Sequence, residues 1–311
     1  MCILSKFYIP KITIHWKHIS WNTVKEIWSL SFSALIISFS AIIFQQTQLI
    51  VVGKVLSVES VALYTIPLML MRYSSMLISY IHAAFVPFAS EMDSKGQINN
   101  LRRLNIQGVR ISFVIALGLL TVTYFFGKPF LMLWLKTRVL DAGDFNMIFQ
   151  FLLVMLIGFS IGYPQIITNR MFLGSGKHWF VAIVSVSCSV TSIFIGYFLL
   201  KYTTFGILGM VIGWCMFFII TGVFIYPFAA CKLYNINIIS YLGTAYLVPI
   251  ISILPFWGGC YLISHIILPV SFLQLLVSLL SAFVIYIFTT SFVCLDQSFR
   301  NQIFERIRLF L

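Results

Sequence analysis

An all-α, polytopic transmembrane helical bundle of about eight spans, with both termini cytoplasmic, is the fold class the sequence predicts, on three observations. Hydrophobic residues make up 60% of the 311 and charged ones only 9%, against roughly 45–50% and 25% in soluble domains. Mean hydropathy is +1.01. The apolar residues also gather in long uninterrupted runs such as 29–44 and 205–230, not in the ten-residue alternating segments of a membrane β-barrel. A disordered chain is excluded as well, because 31 Phe, 14 Tyr and 7 Trp far exceed what a solvated polar coil carries.

The spans follow in order from apolar runs bounded by charges or turn residues. They lie near 27–52, 61–89, 108–126, 146–164, 179–200, 206–230, 241–266 and 271–294, each about the length that crosses a bilayer. Gly53-Lys54 offers turn chemistry after the first span, and Gly127-Lys128-Pro129 is expected to end the third. Thr203-Thr204-Phe205-Gly206 predicts a tight hairpin between spans five and six, and Pro269 another between the last two. Three amphipathic pieces flank the spans: the lead-in with Trp16 and Trp21, the polar connector 91–107, and the tail 296–311. In the tail, Phe299, Ile303, Ile307 and Phe310 share a helical face. All three are expected at the membrane interface.

Charge orients the chain. With the N-terminus inside, fourteen of the twenty bases fall on the inner side, among them Arg102, Arg103, Arg110 and Arg170. Only Lys54, Lys128, Lys136, Arg138 and Lys201 fall outside, a clear positive-inside bias. The net charge of +12 therefore reports topology, and no nucleic-acid partner is expected. The six cysteines contain no CxxC pair and read as small buried hydrophobes, neither a disulfide framework nor a metal site. Residues 1–26 lack a compact apolar stretch ending in a cleavage site and are not a signal peptide.

One base remains inside a span. Arg72 lies about 16 Å along the second helix at 1.5 Å per residue, where a guanidinium is costly unless it faces water, a carboxylate or an anionic ligand. No span contains an acid to pair with it. Thr65, Arg72, Ser75, Ser79 and His82 recur at offsets of seven, three, four and three, placing them on one helical face. The alternative for Arg72 is snorkelling to the interface along its own stem, which leaves the stripe without a purpose. For His82 alone, a hydrogen-bonding packing role competes with a proton relay. In the first span Ser31, Ser38 and Gln45 repeat by sevens and Gln48 follows. They either line the same cavity, suited to uncharged hydroxyls, or are interhelical glue worth about 0.6 kcal/mol per contact. Ser185, Ser189 and Ser192 read as packing residues.

Two tempting motifs fail. Gly174-Ser175-Gly176-Lys177-His178 lacks the first Gly and final Ser or Thr of a phosphate loop, since Met171 and His178 stand there. Asp141 and Asp144 form the outer loop's close carboxylate pair but have no His or further acids nearby, so they read as helix-start residues. No catalytic residue, metal ligand or cofactor site is assigned.

With these residues in view, a family resemblance emerges. LIVVGKVLSVESVALYTIPLMLMR (49–72) is similar to the segment opening the second lobe of bacterial oligosaccharide flippases. These belong to the multidrug/oligosaccharidyl-lipid/polysaccharide exporter superfamily, which includes O-antigen and lipid II flippases. FVPFAS (85–90), LRRLNIQGVR, GKPFLMLWL, LGSGKHW and FGILGMVIGW follow in the matching order, so the resemblance covers roughly 20–295. It implies two pseudo-symmetric six-helix lobes around a basic cavity. Through it a polyprenyl-diphosphate-linked oligosaccharide would move from inner to outer leaflet by alternating access.

On that resemblance the chain divides into an interlobe-linker-like lead-in (1–26), a six-helix lobe (27–233) and two trailing helices with the tail (234–311). Arg72 would meet the diphosphate, with Gln45, Gln48, Ser75, Ser79 and His82 lining the path. Expected partners are the lipid-linked oligosaccharide, membrane lipids and either a missing N-terminal lobe or a second copy, in the bacterial inner membrane. Two departures stand out. Gln48 occupies a position where many members carry an acid, and the family's first lobe has no counterpart here. The start then lies upstream, or a second polypeptide supplies the lobe, or the gene is a remnant. The competing reading is a membrane polymerase, ligase or acyltransferase on the same lipid-linked sugars. It would need a general base or metal-binding acids near the bilayer surface. An inert assembly subunit is the third.

Overall fold

The computed structural model describes residues 20–83, 85–135, 142–267 and 270–294. These are helical almost throughout, and eight helices or helix pairs are long and apolar enough to cross a membrane. The reason is general: in hydrocarbon every backbone N–H and C=O must find its partner within the segment, and a helix does that locally. The chain is thus a polytopic membrane protein. The tail 296–311 and Pro269 lie outside the described residues, as does most of the lead-in.

Helix α1 spans Trp21–Val55, opened by Ser20, whose side chain accepts from the Thr23 amide at 3.1 Å. It is followed by α2 (Val58–Ala83), α3 (Phe85–Ser94) and α4 (Ile98–Leu135). Then come α5 (Ala142–Gly162), a 3₁₀ turn (Tyr163–Gln165) and α6 (Ile166–Gly174), which together form the fourth span. Helix α7 (His178–Tyr202) turns at Gly206, whose φ of 54° suits glycine, into α8 (Ile207–Ile219). A π-helical stretch (Ile220–Ile225) joins α8 to α9 (Tyr226–Leu233). The seventh span comprises α10 (Ile238–Leu242), a second π stretch (Gly243–Leu247) and α11 (Val248–Ile266), and α12 (Phe272–Cys294) is the eighth.

Several sequence expectations need correction. Gly127-Lys128-Pro129 does not end the third span: α4 runs through Pro129 to Leu135. Gly53 and Lys54 stay helical, and the break comes at Leu56. Pairing with neighbouring helices holds these residues in a helix that their local turn propensity argues against. The connector 91–107 is not one interfacial helix either. It holds the end of α3, a turn at Gly96 (φ 64°) and the beginning of α4. Exposed Lys95, hydrogen-bonded to Glu91 one turn earlier, holds that carboxyl below its usual range.

Each irregular stretch inside a span sits at a proline: Pro164 within the 3₁₀ turn, Pro227 after the first π stretch and Pro249 after the second. A proline ring removes one N–H and crowds the preceding turn, so the helix rewinds locally. The first two breaks touch each other. A Cβ on Gly222 would fall 2.2 Å from Gly162 Cα, so the backbones of the fourth and sixth spans cross there with room for hydrogen alone.

A large apolar core joins α1, α2, α4, α5, α7 and α8. A second cluster gathers the other halves of the broken spans, including Ile167, Met171, Tyr226 and Tyr241. A third, built from Phe126, Ile253, Phe256, Cys260, Leu275 and Ala282, seats α11 and α12 on α4. The two trailing spans therefore pack on the lobe along α4 through an apolar cluster of their own, while the start of the seventh span, with Tyr241 and Ala245, joins the second cluster. Cys188, Cys215, Cys231 and Cys260 are buried and form no disulfides, in line with their reading as hydrophobes.

Candidate functional site

A cavity of about 300 Å³ opens between α1, α2, the 163–173 segment, α7 and α8. Helix α1 gives it Ile37, Ser40, Ala41, Phe44 and Gln45, one face at helical spacing. Helix α2 gives it Leu68, Met71, Arg72 and Ser75. Aromatic rings close one wall: Trp214 lies 4.6 Å from Phe218 between ring centroids, and Phe44 lies 4.5 Å from Phe217.

Arg72 reaches this space already oriented, because its Nη2 donates to Gln45 Oε1 at 2.9 Å. That contact uses one of the five N–H donors of a guanidinium and links the two helices that the sequence singled out. Ser75 lies one turn on, and its hydroxyl donates to the Arg72 carbonyl at 2.8 Å. The Ser75 carbonyl in turn accepts from the Tyr163 hydroxyl at 2.7 Å, tying α2 to the break in the fourth span.

Sequence reasoning missed a second guanidinium. Arg170, on α6, lines the same cavity. The sequence placed it in an inner loop because the fourth apolar run was closed at residue 164. In the structure that span continues past the turn at 163–165 and ends at Gly174. The signal was present in the spacing of Tyr163, Ile166, Asn169, Arg170 and Leu173, all of which line the cavity. Asn169 is held in place by donating from Nδ2 to the Tyr226 hydroxyl at 2.7 Å. Among the described residues no acidic side chain lines the cavity, and both arginines face it without a carboxylate from them.

Three residues that the sequence put on the path lie elsewhere. Gln48 is buried between α1 and α2, where its Oε1 accepts from the Tyr64 hydroxyl. Ser79 bonds back within its own helix, donating to the Met76 carbonyl at 2.8 Å. His82 is fully buried, with Nε2 2.6 Å from Ser112 Oγ. Because Ser112 donates its proton to the Gly108 carbonyl at 2.8 Å, the hydrogen bond from His82 places the ring proton on Nε2. None of the three lines the cavity. The α2 stripe therefore splits: Arg72 and Ser75 face the cavity, while His82 turns toward α4, since a face drawn at ideal spacing spans more than one neighbour. Ser185 and Ser189, read as packing residues, line the cavity, and Ser189 also pairs with Ser40 at 2.9 Å. Asp144 lies in the first turn of α5, and Asp141 lies outside the described residues.

A buried polar chain also escaped the sequence. Gln165 Nε2 donates to the hydroxyls of Tyr241 (2.9 Å) and Tyr246 (2.8 Å). Its Oε1 accepts from Thr168 (2.8 Å), whose hydroxyl accepts from Asn105 Nδ2 (2.9 Å). This chain fixes the turn that begins α6, and so the helix that carries Arg170, against α4 and the seventh span.

Comparison with known proteins bears on the same helices. Residues 1–142 match the model of a family described as polysaccharide biosynthesis protein. The match takes in α1 to α4 and with them Gln45, Arg72 and Ser75. A search of curated proteins finds no match. Over residues 1–142, the chain resembles a flippase-like family of polysaccharide biosynthesis proteins, as its sequence motifs suggested.

Proposed function

We propose that the chain moves a polyprenyl-diphosphate-linked oligosaccharide across the bacterial inner membrane for surface polysaccharide synthesis, acting as one lobe of an alternating-access transporter. The observation that carries this reading is the cavity within the bundle, lined by Arg72 and Arg170 and, among the described residues, by no acid. Two guanidiniums unpaired with carboxylates suit a diphosphate, whose oxygens accept several N–H donors at once. Gln45, Ser75 and Asn169 add amide and hydroxyl groups beside the charge, and the Trp214–Phe218 wall offers the flat apolar surface on which a sugar face or an isoprenoid unit rests. The family description, polysaccharide biosynthesis, points to the same class of compound. A second lobe would complete the pathway between the two sides.

The test is binding and export measured together. In the chain reconstituted in lipid nanodiscs, Arg72→Ala and Arg170→Ala should each weaken a polyprenyl-diphosphate sugar by about tenfold or more, the worth of a hydrogen bond to a charged group. In cells each should cut surface polysaccharide. Unchanged affinity and unchanged export in both variants would sink the site. Turnover of the lipid-linked sugar by purified chain would favour an enzyme instead.

A further inference from the structure

Away from the cavity, one face of the first turns of α4 carries Asn99, Arg102, Arg103, Gln107 and Arg110 at helical spacing. With Ser240 and Thr244 opposite, they line a cleft of about 230 Å³ between α4 and the start of the seventh span. Among the described residues, three of those lining it are arginines and none is acidic. Arg110 is half-buried, and its Nε donates to the Thr244 carbonyl at 3.0 Å. The guanidinium is thus fixed across the cleft by one of its five donors.

The depth and surroundings of this cleft narrow its ligand. Helix α4 has 38 residues, well beyond the ~20 needed for a hydrocarbon core of about 30 Å. Its apolar run begins near residue 108, which places Arg102 and Arg103 at headgroup level and Arg110 at the edge of the hydrocarbon. The cleft residues Ser240 and Thr244 share the start of the seventh span with exposed aliphatic side chains: Ile239 is 78% exposed, Leu247 60% and Leu242 44%. On a membrane bundle, such side chains face acyl chains. A guanidinium cluster bordered by lipid-facing aliphatics matches an amphiphile with a phosphate head.

We propose that this cleft binds the headgroup phosphate of an anionic membrane phospholipid, whose acyl chains lie along Ile239, Leu242 and Leu247. The site is separate from the cavity and does not depend on what the cavity carries.

Native mass spectrometry of the full chain in detergent tests this, with phosphatidylglycerol, phosphatidylcholine and inorganic phosphate added in turn. Phosphatidylglycerol should bind in preference to phosphatidylcholine. The double variant Arg102→Gln with Arg103→Gln should bind it about tenfold more weakly, and the corresponding double Lys variant should restore it, which separates lost charge from lost fold. Arg72→Ala should bind it like the unaltered chain. Equal binding of the two lipids, or no effect of the Gln variant, would overturn the proposal. Displacement by millimolar inorganic phosphate would make this a free-phosphate site, and stronger competition by a polyprenyl phosphate would assign it to the substrate path. Either outcome removes the phospholipid.

Discussion

The two groups of arginines differ less in charge than in what surrounds them. Arg72 and Arg170 face a cavity walled by Phe44, Trp214, Phe217 and Phe218, and Arg72 is oriented by the side-chain amide of Gln45. Arg102, Arg103 and Arg110 line an open cleft beside exposed aliphatics, with Arg110 anchored to a backbone carbonyl. In the first place, the hydrogen bond to Gln45 and the aromatic wall fix the geometry, so each N–H direction counts. In the second, solvent and headgroups screen the charges, and the number of positive groups matters more than their aim. On the two proposals, the same residue type would serve selection in one region and adhesion in the other.

The largest break in this comparison comes from the crossing at Gly162 and Gly222. A side chain at 222 meets Gly162 backbone, Cα at 2.2 Å and O at 2.4 Å, and neither can move aside like a side-chain tip. Gly222→Val must therefore separate the fourth and sixth spans where Tyr163 and Phe218 line the cavity. The expected cost is about 2 kcal/mol or more, from overpacking, read as a lower melting midpoint in detergent. Below that midpoint, binding in the cavity should be lost while phosphatidylglycerol stays in the cleft, which shares none of these residues. Loss of both would show that the two regions are one cooperative unit.

A smaller effect distinguishes geometry from charge. Lysine keeps the positive charge but replaces the planar fork with a point charge on a flexible stem. Arg72→Lys should weaken a polyprenyl-diphosphate ligand by about tenfold, because the hydrogen bond to Gln45 and the remaining donors no longer share a plane. Arg103→Lys should leave phosphatidylglycerol binding within about twofold. Parallel lipid titrations of the two variants give the answer, and equal losses would erase the contrast.

How much of this was legible in the sequence follows the same division. The eight spans were legible because lipid imposes long apolar runs, and Arg72 because a base inside such a run is conspicuous. Gln45 was legible through its heptad spacing, although Ser38, on the same stripe, bonds back to Ala34 within its own helix and does not line the cavity. Arg170 was legible only in part: its spacing with Tyr163, Ile166 and Asn169 fits one helical face, but the reading ended the span at the proline break before it. His82 failed for the opposite reason. Its spacing fits the stripe, but Ser112 on a different helix decides where it turns. The Gln165 network depends on tyrosines 76 and 81 residues away, a separation over which periodicity carries no information. The cleft was half legible, as a cluster of inner-side bases, but what made it a cleft was the fold of the 240–244 segment across α4.

Salt gives the gentlest measure of the difference between the regions. The Debye length falls from about 10 Å at 0.1 M to about 3 Å at 1 M ionic strength, so charges in contact with solvent lose most of their reach over that range. Arg102 and Arg103 lie at the solvent-facing end of α4, and phosphatidylglycerol affinity should fall several-fold across it. Arg72 would meet its ligand beside the aromatic rings of Trp214 and Phe218, and a polyprenyl-diphosphate affinity set by directed hydrogen bonds should change by less than about twofold. Binding isotherms at the two salt concentrations measure both slopes on one preparation. A cavity slope as steep as the cleft's would mean that Arg72 is bathed in bulk electrolyte, and the directional role given to its hydrogen bond with Gln45 would then have to yield to simple charge attraction.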